Sequence, residues 1–304
     1  MDYQAVLDDI AATIQSDLGT AGSVADYIPA LSRVDPFQFG MALRTRDGLE
    51  AWAGDALTPF SIQSISKVFS LTIAMRLAGE RLWERIGREP SGNPFNSLMQ
   101  LEREQGIPRN PFINAGAIVV ADYLVTLDDD PESAILNYIS GLCDEPLEID
   151  EEVAASEAAT GFRNIALANF IKSYGKLDND VSTVLDVYFR QCAVSMNCVQ
   201  LARAVNYLCR DGIHPLRDDR IISSRQARRI NALMLTCGTY DTAGEFAFRI
   251  GVPCKSGVGG GIVAVIPDSL SMCVWSPALD AGHNSLLGQK ALEMFTSRTG
   301  LSVF

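Results

Sequence analysis

Two short motifs in this 304-residue chain carry residue types that do chemistry. In Ser64-Ile65-Ser66-Lys67 a serine and a lysine stand three residues apart at the start of a predicted helix, on one face and one turn apart. A serine hydroxyl is a weak nucleophile until a neighbouring base takes its proton. A lysine does that when burial and nearby cations hold it neutral. The helix N-terminus adds backbone N–H groups and a positive dipole end that stabilise an oxyanion. Much later, Lys255-Ser256-Gly257 precedes an apolar strand and is followed by Val258-Gly259-Gly260-Gly261. Glycines there let a substrate approach the backbone, and Lys255 offers positive charge for a substrate carboxylate. The Val258 N–H pairs naturally with that of Ser64 as an oxyanion hole. Each motif standing alone has a plainer reading: an exposed lysine beside a helix-capping serine, and a flexible turn or phosphate loop. Neither G-x-x-x-x-G-K-S/T nor G-x-G-x-x-G occurs at the glycines, so a nucleotide site is a poor fit.

The elements that must position these residues are legible as changes of hydrophobic period. Tyr3 to about Leu18 reads as an amphipathic helix ended by Gly19, and Phe37–Gly54 as a hairpin around Asp47-Gly48. From Ser64 to about Leu77, Val68, Leu71 and Met75 form one helical series and Phe69, Ile73 and Leu77 another, which predicts a buried helix apolar around much of its girth. Helical patterns follow over Ile113–Leu127, Glu132–Leu142, Glu157–Tyr174, Val181–Arg190 and Cys198–Leu208. Strand character returns at Phe246–Val252, Gly261–Ile266 and Ser271–Trp275, with Pro267-Asp268-Ser269 as a turn, and Asn284–Ser297 closes as a helix. Strands separated by a large helical block predict an α/β (α+β) fold. One antiparallel sheet is drawn from both chain ends and flanked by helices, with an all-helical lobe inserted. The expected division is an α/β lobe of about residues 1–60 plus 210–304 and a helical lobe of about 61–209, folding as one domain over 1–304.

Composition closes off other classes. The formal net charge is -12, from 25 Lys and Arg against 37 Asp and Glu, which repels nucleic-acid backbones and anionic membrane surfaces. No apolar stretch approaches the ~20 residues of a membrane-spanning helix. The N-terminus lacks the basic start and apolar core of an export signal, so a cytoplasmic protein is expected. The seven cysteines are odd in number and scattered, without a C-x-x-C pair, and there are two histidines, His214 and His283. Reduced, core-packed cysteines are therefore expected, and no metal site.

A Ser-x-x-Lys helix start with a later K-S/T-G is the signature of serine β-lactamases and penicillin-binding proteins. The chain more specifically resembles the serine-dependent glutaminases. The resemblance rests on Tyr27-Ile28-Pro29-Ala30-Leu31, Phe60–Phe69, Pro111-Phe112-Ile113-Asn114-Ala115-Gly116-Ala117, Ser156-Glu157, Arg163-Asn164, Cys237-Gly238-Thr239-Tyr240-Asp241 and Lys255–Val258, in that order. It implies the serine β-lactamase-like fold and hydrolysis of L-glutamine to L-glutamate and ammonia, without a cofactor. It also implies a homo-oligomer, a tetramer built from dimers. By resemblance, Ser64 is the nucleophile, Lys67 its base, and Tyr240 a catalytic tyrosine in the proton relay. Glu157 would bind the α-ammonium, while Asn114, Asn164, Tyr27 and Tyr188 take the remaining amino-acid-binding positions. Glu157 and Asn164 are seven residues apart, about two helical turns, so both can face one pocket.

Each assignment has a rival reading. Tyr188 and Tyr240 suit a core with satisfied hydroxyls, and Glu157 suits the first turn of a helix. Asn114 stands in an apolar run, where an unpaired amide is costly, and ligand binding explains it better. The chain lacks an S-D-N triplet and an export signal, which disfavours a β-lactamase. A catalytically inactive amino-acid-binding protein of the same fold is the other alternative, against which the presence of both Ser64 and Lys67 argues.

Overall fold

The computed structural model describes residues 1–92 and 97–304. The chain runs α1 (Tyr3–Gln15), β1 (Gly40–Thr45), β2 (Glu50–Gly54), β3 (Phe60–Ser61), α2 (Ser66–Leu77) and α3 (Leu98–Arg103). It continues with α4 (Asn114–Leu127), α5 (Pro131–Cys143), β4 (Glu148–Ile149), α6 (Glu151–Thr160), α7 (Phe162–Ser173) and α8 (Val181–Cys192). Then come β5 (Val194–Met196), α9 (Cys198–Ala204), α10 (Ser224–Cys237), α11 (Ala243–Arg249), β6 (Cys254–Ser256), β7 (Gly261–Ile266), β8 (Leu270–Trp275) and α12 (Leu286–Thr299).

A five-stranded antiparallel sheet in the order β2-β1-β8-β7-β6 draws strands from both ends of the chain. Side chains alternate between its faces. Ile262, Ala264 and Ile266 of β7, with Met272 and Val274 of β8, pack beside Leu7, Ile10 and Ile14 of α1 and Leu292 and Phe295 of α12. Val263, Val265, Cys273 and Trp275 face the helical block instead. Because both faces are covered, β7 and β8 are buried at every residue, and β7 reads as an unbroken apolar run rather than an alternating one.

Most expected elements are present, with instructive differences. Phe246–Val252 has the composition of a strand but enters α11. Phe246 and Ile250, four residues apart, bury on one helical face, while Phe248 is 87% exposed. The Glu157–Tyr174 helix is two helices, α6 and α7, broken at Gly161. A Cβ there would lie 2.5 Å from the Phe189 ring and 2.7 Å from the Glu157 carbonyl oxygen, so the break is what lets α8 approach. Helix α10 was not apparent from apolar spacing, although its capping box of Ser223 and Gln226 is readable in the sequence. A second, three-stranded sheet of order β3-β5-β4 lies among the helices, its strands too short to leave a pattern. The seven cysteines are all buried and unpaired. Among the described residues, no helix is long and apolar enough to cross a membrane.

One buried ion pair ties the helical block together. Asp122, on the apolar α4, is fully buried and paired with Arg85, and it accepts the backbone N–H groups of Asp178 at 3.0 Å and Asn179 at 2.9 Å. Burial opposes its charge, yet these donors hold the carboxyl below the usual aspartate range. The clamp fixes the segment that leads into α8 against α4, and these two helices bring Tyr188 and Asn114 to the site. Removing the Asp122 carboxylate leaves Arg85 with its more exposed partner Asp178 and strands the backbone N–H groups of Asp178 and Asn179. Asp122→Ala is therefore expected to cost about 3–5 kcal/mol in chemical denaturation. A loss below about 1 kcal/mol would show that the clamp is dispensable.

Candidate active site

The residue before the nucleophile candidate sets the local geometry. Gln63 has φ +49°, a left-handed conformation, and turns the chain sharply between β3 and α2. The expected helix start at Ser64 is accordingly a short 3-10 turn over Gln63–Ile65, with the α-helix beginning at Ser66. Helix α2 is buried from Ser66 to Met75, as two superposed apolar series require. That burial encloses Lys67, which is only 1% exposed, and removes the reading of it as a solvated surface lysine.

Lys67 meets oxygen acceptors rather than a carboxylate. Its Nζ donates to Asn114 Oδ1 at 2.7 Å and to the Phe112 carbonyl at 3.2 Å, and it lies 5.9 Å from the centre of the Tyr188 ring. Asn114 Nδ2 donates in turn to Asn164 Oδ1 at 2.9 Å, so the amide in the apolar run is paired through both ends. Burial draws the Lys67 amine down to about 8, against the attraction of nearby Glu157. Glu157 is pushed up to about 7 by burial, with the Gln63 side chain and Lys67 pulling the other way. It sits at the end of the second turn of α6, not in the first, so the dipole reading of this carboxylate fails.

A cavity of about 510 Å³ joins these residues. Eight of the nine candidates line it: Tyr27, Ser64, Asn114, Glu157, Asn164, Tyr188, Tyr240 and Val258. Lys67 lies behind this lining, bonded to Asn114. Glu157 and Asn164 do face one cavity, but from two helices across the Gly161 break. Tyr240, like Gln63, has positive φ, at +49°, and its phenol lies within the electrostatic influence of Ser64. Burial holds the Tyr240, Tyr188 and Tyr27 phenols above the usual range, so all three remain hydroxyls.

Opposite Ser64 the chain after β6 is held as a tight turn. Gly257 N–H donates to the Gly261 carbonyl at 2.9 Å, and Trp275 Nε1 donates to the Gly259 carbonyl at 3.0 Å. The Trp275 ring stacks on Phe60 at 5.0 Å, which joins this turn to the strand ahead of Ser64. At Gly257 a Cβ would come within 2.6 Å of the Ile62 carbonyl oxygen and 3.4 Å of Ser64 N, so only glycine permits this approach. Val258 is buried, and its N–H has no hydrogen-bond partner among the described residues. A buried N–H without a protein partner is costly and rare, and Val258 lines the same cavity as Ser64.

Lys255 departs from expectation. Its amine is buried, donates to the Ser256 carbonyl at 2.6 Å, and stands 5.0 Å from the centre of the Tyr240 ring and 5.8 Å from that of Phe112. It does not line the cavity, so it is not placed to meet a substrate carboxylate there. Burial and the charge of Lys67 hold it well below an ordinary lysine. Pattern reading also missed lining residues. Gln63 and Cys192 belong to the floor, and Cys192 follows Tyr188 by four residues on α8, a spacing that could have found it. Asp241 lies in the lining directly after Tyr240 in its motif, and His283 enters it from a loop that no spacing links to the motifs.

A larger, more open groove of about 720 Å³ lies along α12, but its charges are spent on one another. Lys290 pairs with Asp17, Arg249 with Glu293, and Arg298 with Asp9. The cavity at Ser64 instead brings together a serine hydroxyl, the Val258 backbone and, just behind its lining, the depressed amine of Lys67.

The family model described as Glutaminase matches residues 22–304. A glutaminase of Methylobacterium radiotolerans is 58% identical over 286 residues, covering 93% of each chain. One of Rhizobium rhizogenes is 57% identical over 307 residues, covering 100% of this chain and 99% of the relative. Among solved structures, the Bacillus subtilis glutaminase in covalent complex with 5-oxo-L-norleucine superposes with a TM-score of 0.89 at 33% identity, covering 100% of both chains. The sheet and helices described above are thus the β-lactamase-like fold of the bacterial glutaminases. The chain belongs to the glutaminase family of enzymes.

Proposed function

We propose that this enzyme hydrolyses L-glutamine to L-glutamate and ammonia through a γ-glutamyl ester on Ser64. The observation that carries the reading is the position of the Lys67 amine. A neutral amine has two hydrogens and one lone pair, and Asn114 Oδ1 and the Phe112 carbonyl take both hydrogens. The lone pair is left to accept the Ser64 proton from the same helical face. Ser64 Oγ then attacks the γ-carbonyl carbon, whose oxygen gains negative charge between the N–H groups of Ser64 and Val258. As the C–N bond breaks, a proton passes to the nitrogen and ammonia leaves. Tyr240, protonated and lining the same cavity as Ser64, suits that relay. Water next attacks the ester, restoring the Ser64 hydroxyl and releasing glutamate.

The same cavity suits the head of a free amino acid. Glu157 supplies the carboxylate for the α-ammonium, and the amide and hydroxyl groups of Asn114, Asn164, Tyr27 and Tyr188 offer donors and acceptors around it. With Lys255 withdrawn behind Tyr240, these neutral donors take over the carboxylate role first assigned to it. Lys255 instead packs its buried amine over the Tyr240 ring. A cytoplasmic homo-oligomer, dimer or tetramer, goes with this reading.

Ammonia release from L-glutamine by the Ser64→Ala variant is expected to fall at least about 10³-fold. Activity persisting near the parent rate would refute the ester mechanism. Turnover of nitrocefin without glutamine would instead mark a β-lactamase, and glutamine binding without turnover a binding protein.

The pH profile follows from the two shifted groups. Lys67 is active when neutral, so kcat rises as pH increases through about 8. Glu157 binds an ammonium only when ionised, so kcat/KM gains a further rise through about 7. Glu157→Gln should raise KM and remove the lower step while the step in kcat stays. A kcat constant from mildly acidic to alkaline pH would exclude Lys67 as the base.

A further inference from the structure

Three described residues with side chains at positive φ line the cavity: Gln63, Tyr240 and His283. Backbone strain of this kind persists only where the surroundings enforce it, and it concentrates at functional positions. Gln63 and Tyr240 have roles in the reading above, and His283 has none. It occupies the loop between β8 and α12 with φ +63°. That loop is firmly built. Asp280 Oδ1 accepts the N–H groups of Gly282 at 2.8 Å and Asn284 at 3.0 Å, while Asn284 Nδ2 donates to Thr242 Oγ1 at 3.0 Å. Ser23 and Leu279 exchange backbone hydrogen bonds, at 3.1 and 2.9 Å, and so tie the loop to the segment that carries Tyr27.

The imidazole meets Tyr27 edge to face, with ring centres 6.0 Å apart and planes at 89°. Tyr27 needs such support, because 48% of its surface is exposed and its hydroxyl end lies under the influence of Glu157 inside the cavity. We propose that His283 is a positioning residue that holds the Tyr27 phenol over the cavity mouth, so that the enzyme grips the amino-acid head of its substrate. The proposal rests on the reading of this cavity as the glutamine site. An unsupported phenol would spend its time in solvent, and the substrate would lose a hydroxyl contact on binding while the chemistry at Ser64 proceeds unchanged. His283 therefore sets KM rather than kcat. Asp241, whose carboxyl burial pushes up and His283 draws down, faces the imidazole from the Tyr240 turn, and Asp26 adjoins Tyr27.

The positive φ supplies a clean test, because glycine occupies that conformation without strain and His283→Gly keeps the loop while removing the ring. Steady-state kinetics with L-glutamine should show KM raised about three- to tenfold, the range an edge-on ring contact carries. The expected kcat stays within about twofold. His283→Phe, which retains a ring, should restore most of the affinity, and His283→Asn should not. In a Tyr27→Ala background, His283→Gly should have no further effect on KM. An unchanged KM in His283→Gly, or a full effect that persists without Tyr27, would overturn the proposal. Failure of the glutamine-site reading is separate, since it appears in the parent enzyme as absence of turnover.

Discussion

An ammonium taken out of water loses hydration worth several kcal/mol unless a counter-charge replaces it, and Lys67 has lost its water almost completely. The nearest replacements are a carbonyl and an amide oxygen, which suit a neutral amine better than a cation. Glu157, the adjacent carboxylate, is itself short of hydration and shifts toward its neutral form. Two groups that would form an ion pair in water are thus both moved toward neutrality by the same burial. The proposed chemistry of the cavity follows from this constraint: an amine shifted toward its neutral form to serve as base, and a carboxylate that would regain its charge when a substrate brings an ammonium.

The fold produces that burial by enclosing α2. One face of the five-stranded sheet and the helical block surround it, and its two apolar series leave no side for solvent from Ser66 to Met75, with only the last turn at Leu77 exposed. The sheet also delivers the opposite wall, since Trp275 of β8 fixes the turn of Gly257–Gly261 and stacks on Phe60 ahead of Ser64. Ser64 and Val258, the proposed nucleophile and oxyanion donor, thus come from distant parts of the chain but share one rigid contact. The left-handed Gln63 and Tyr240 cost local strain on the order of 1–3 kcal/mol each. The packed surroundings offset this by holding both in place.

Sequence pattern reached the heart of the site because helical spacing is local. The i, i+3 relation of Ser64 and Lys67 and the glycines after Lys255 needed no tertiary information. Roles that depend on which side of a wall a residue occupies were harder to read. Lys255 carries the right charge for a carboxylate, yet strand alternation and the packing of Tyr240 and Phe112 turn it away from the cavity. Cys192 was within reach, one turn after Tyr188, whereas His283 enters only because its loop is tied to Ser23. The helix break at Gly161 was hidden because apolar periodicity continues through it, and its cause, the Phe189 ring, belongs to another helix. In α11 the alternating phenylalanines imitate a strand, and only the helical pairing of Phe246 with Ile250 buries them usefully.

The state of the Lys67 amine is the centre of this account, and NMR titration of that amine in selectively labelled enzyme measures it directly. Assignment by loss of the signal in Lys67→Arg separates it from Lys255. The account predicts a midpoint near 8, drawn down by burial. An amine that stays protonated to the ordinary lysine value of about 10.4 would contradict it.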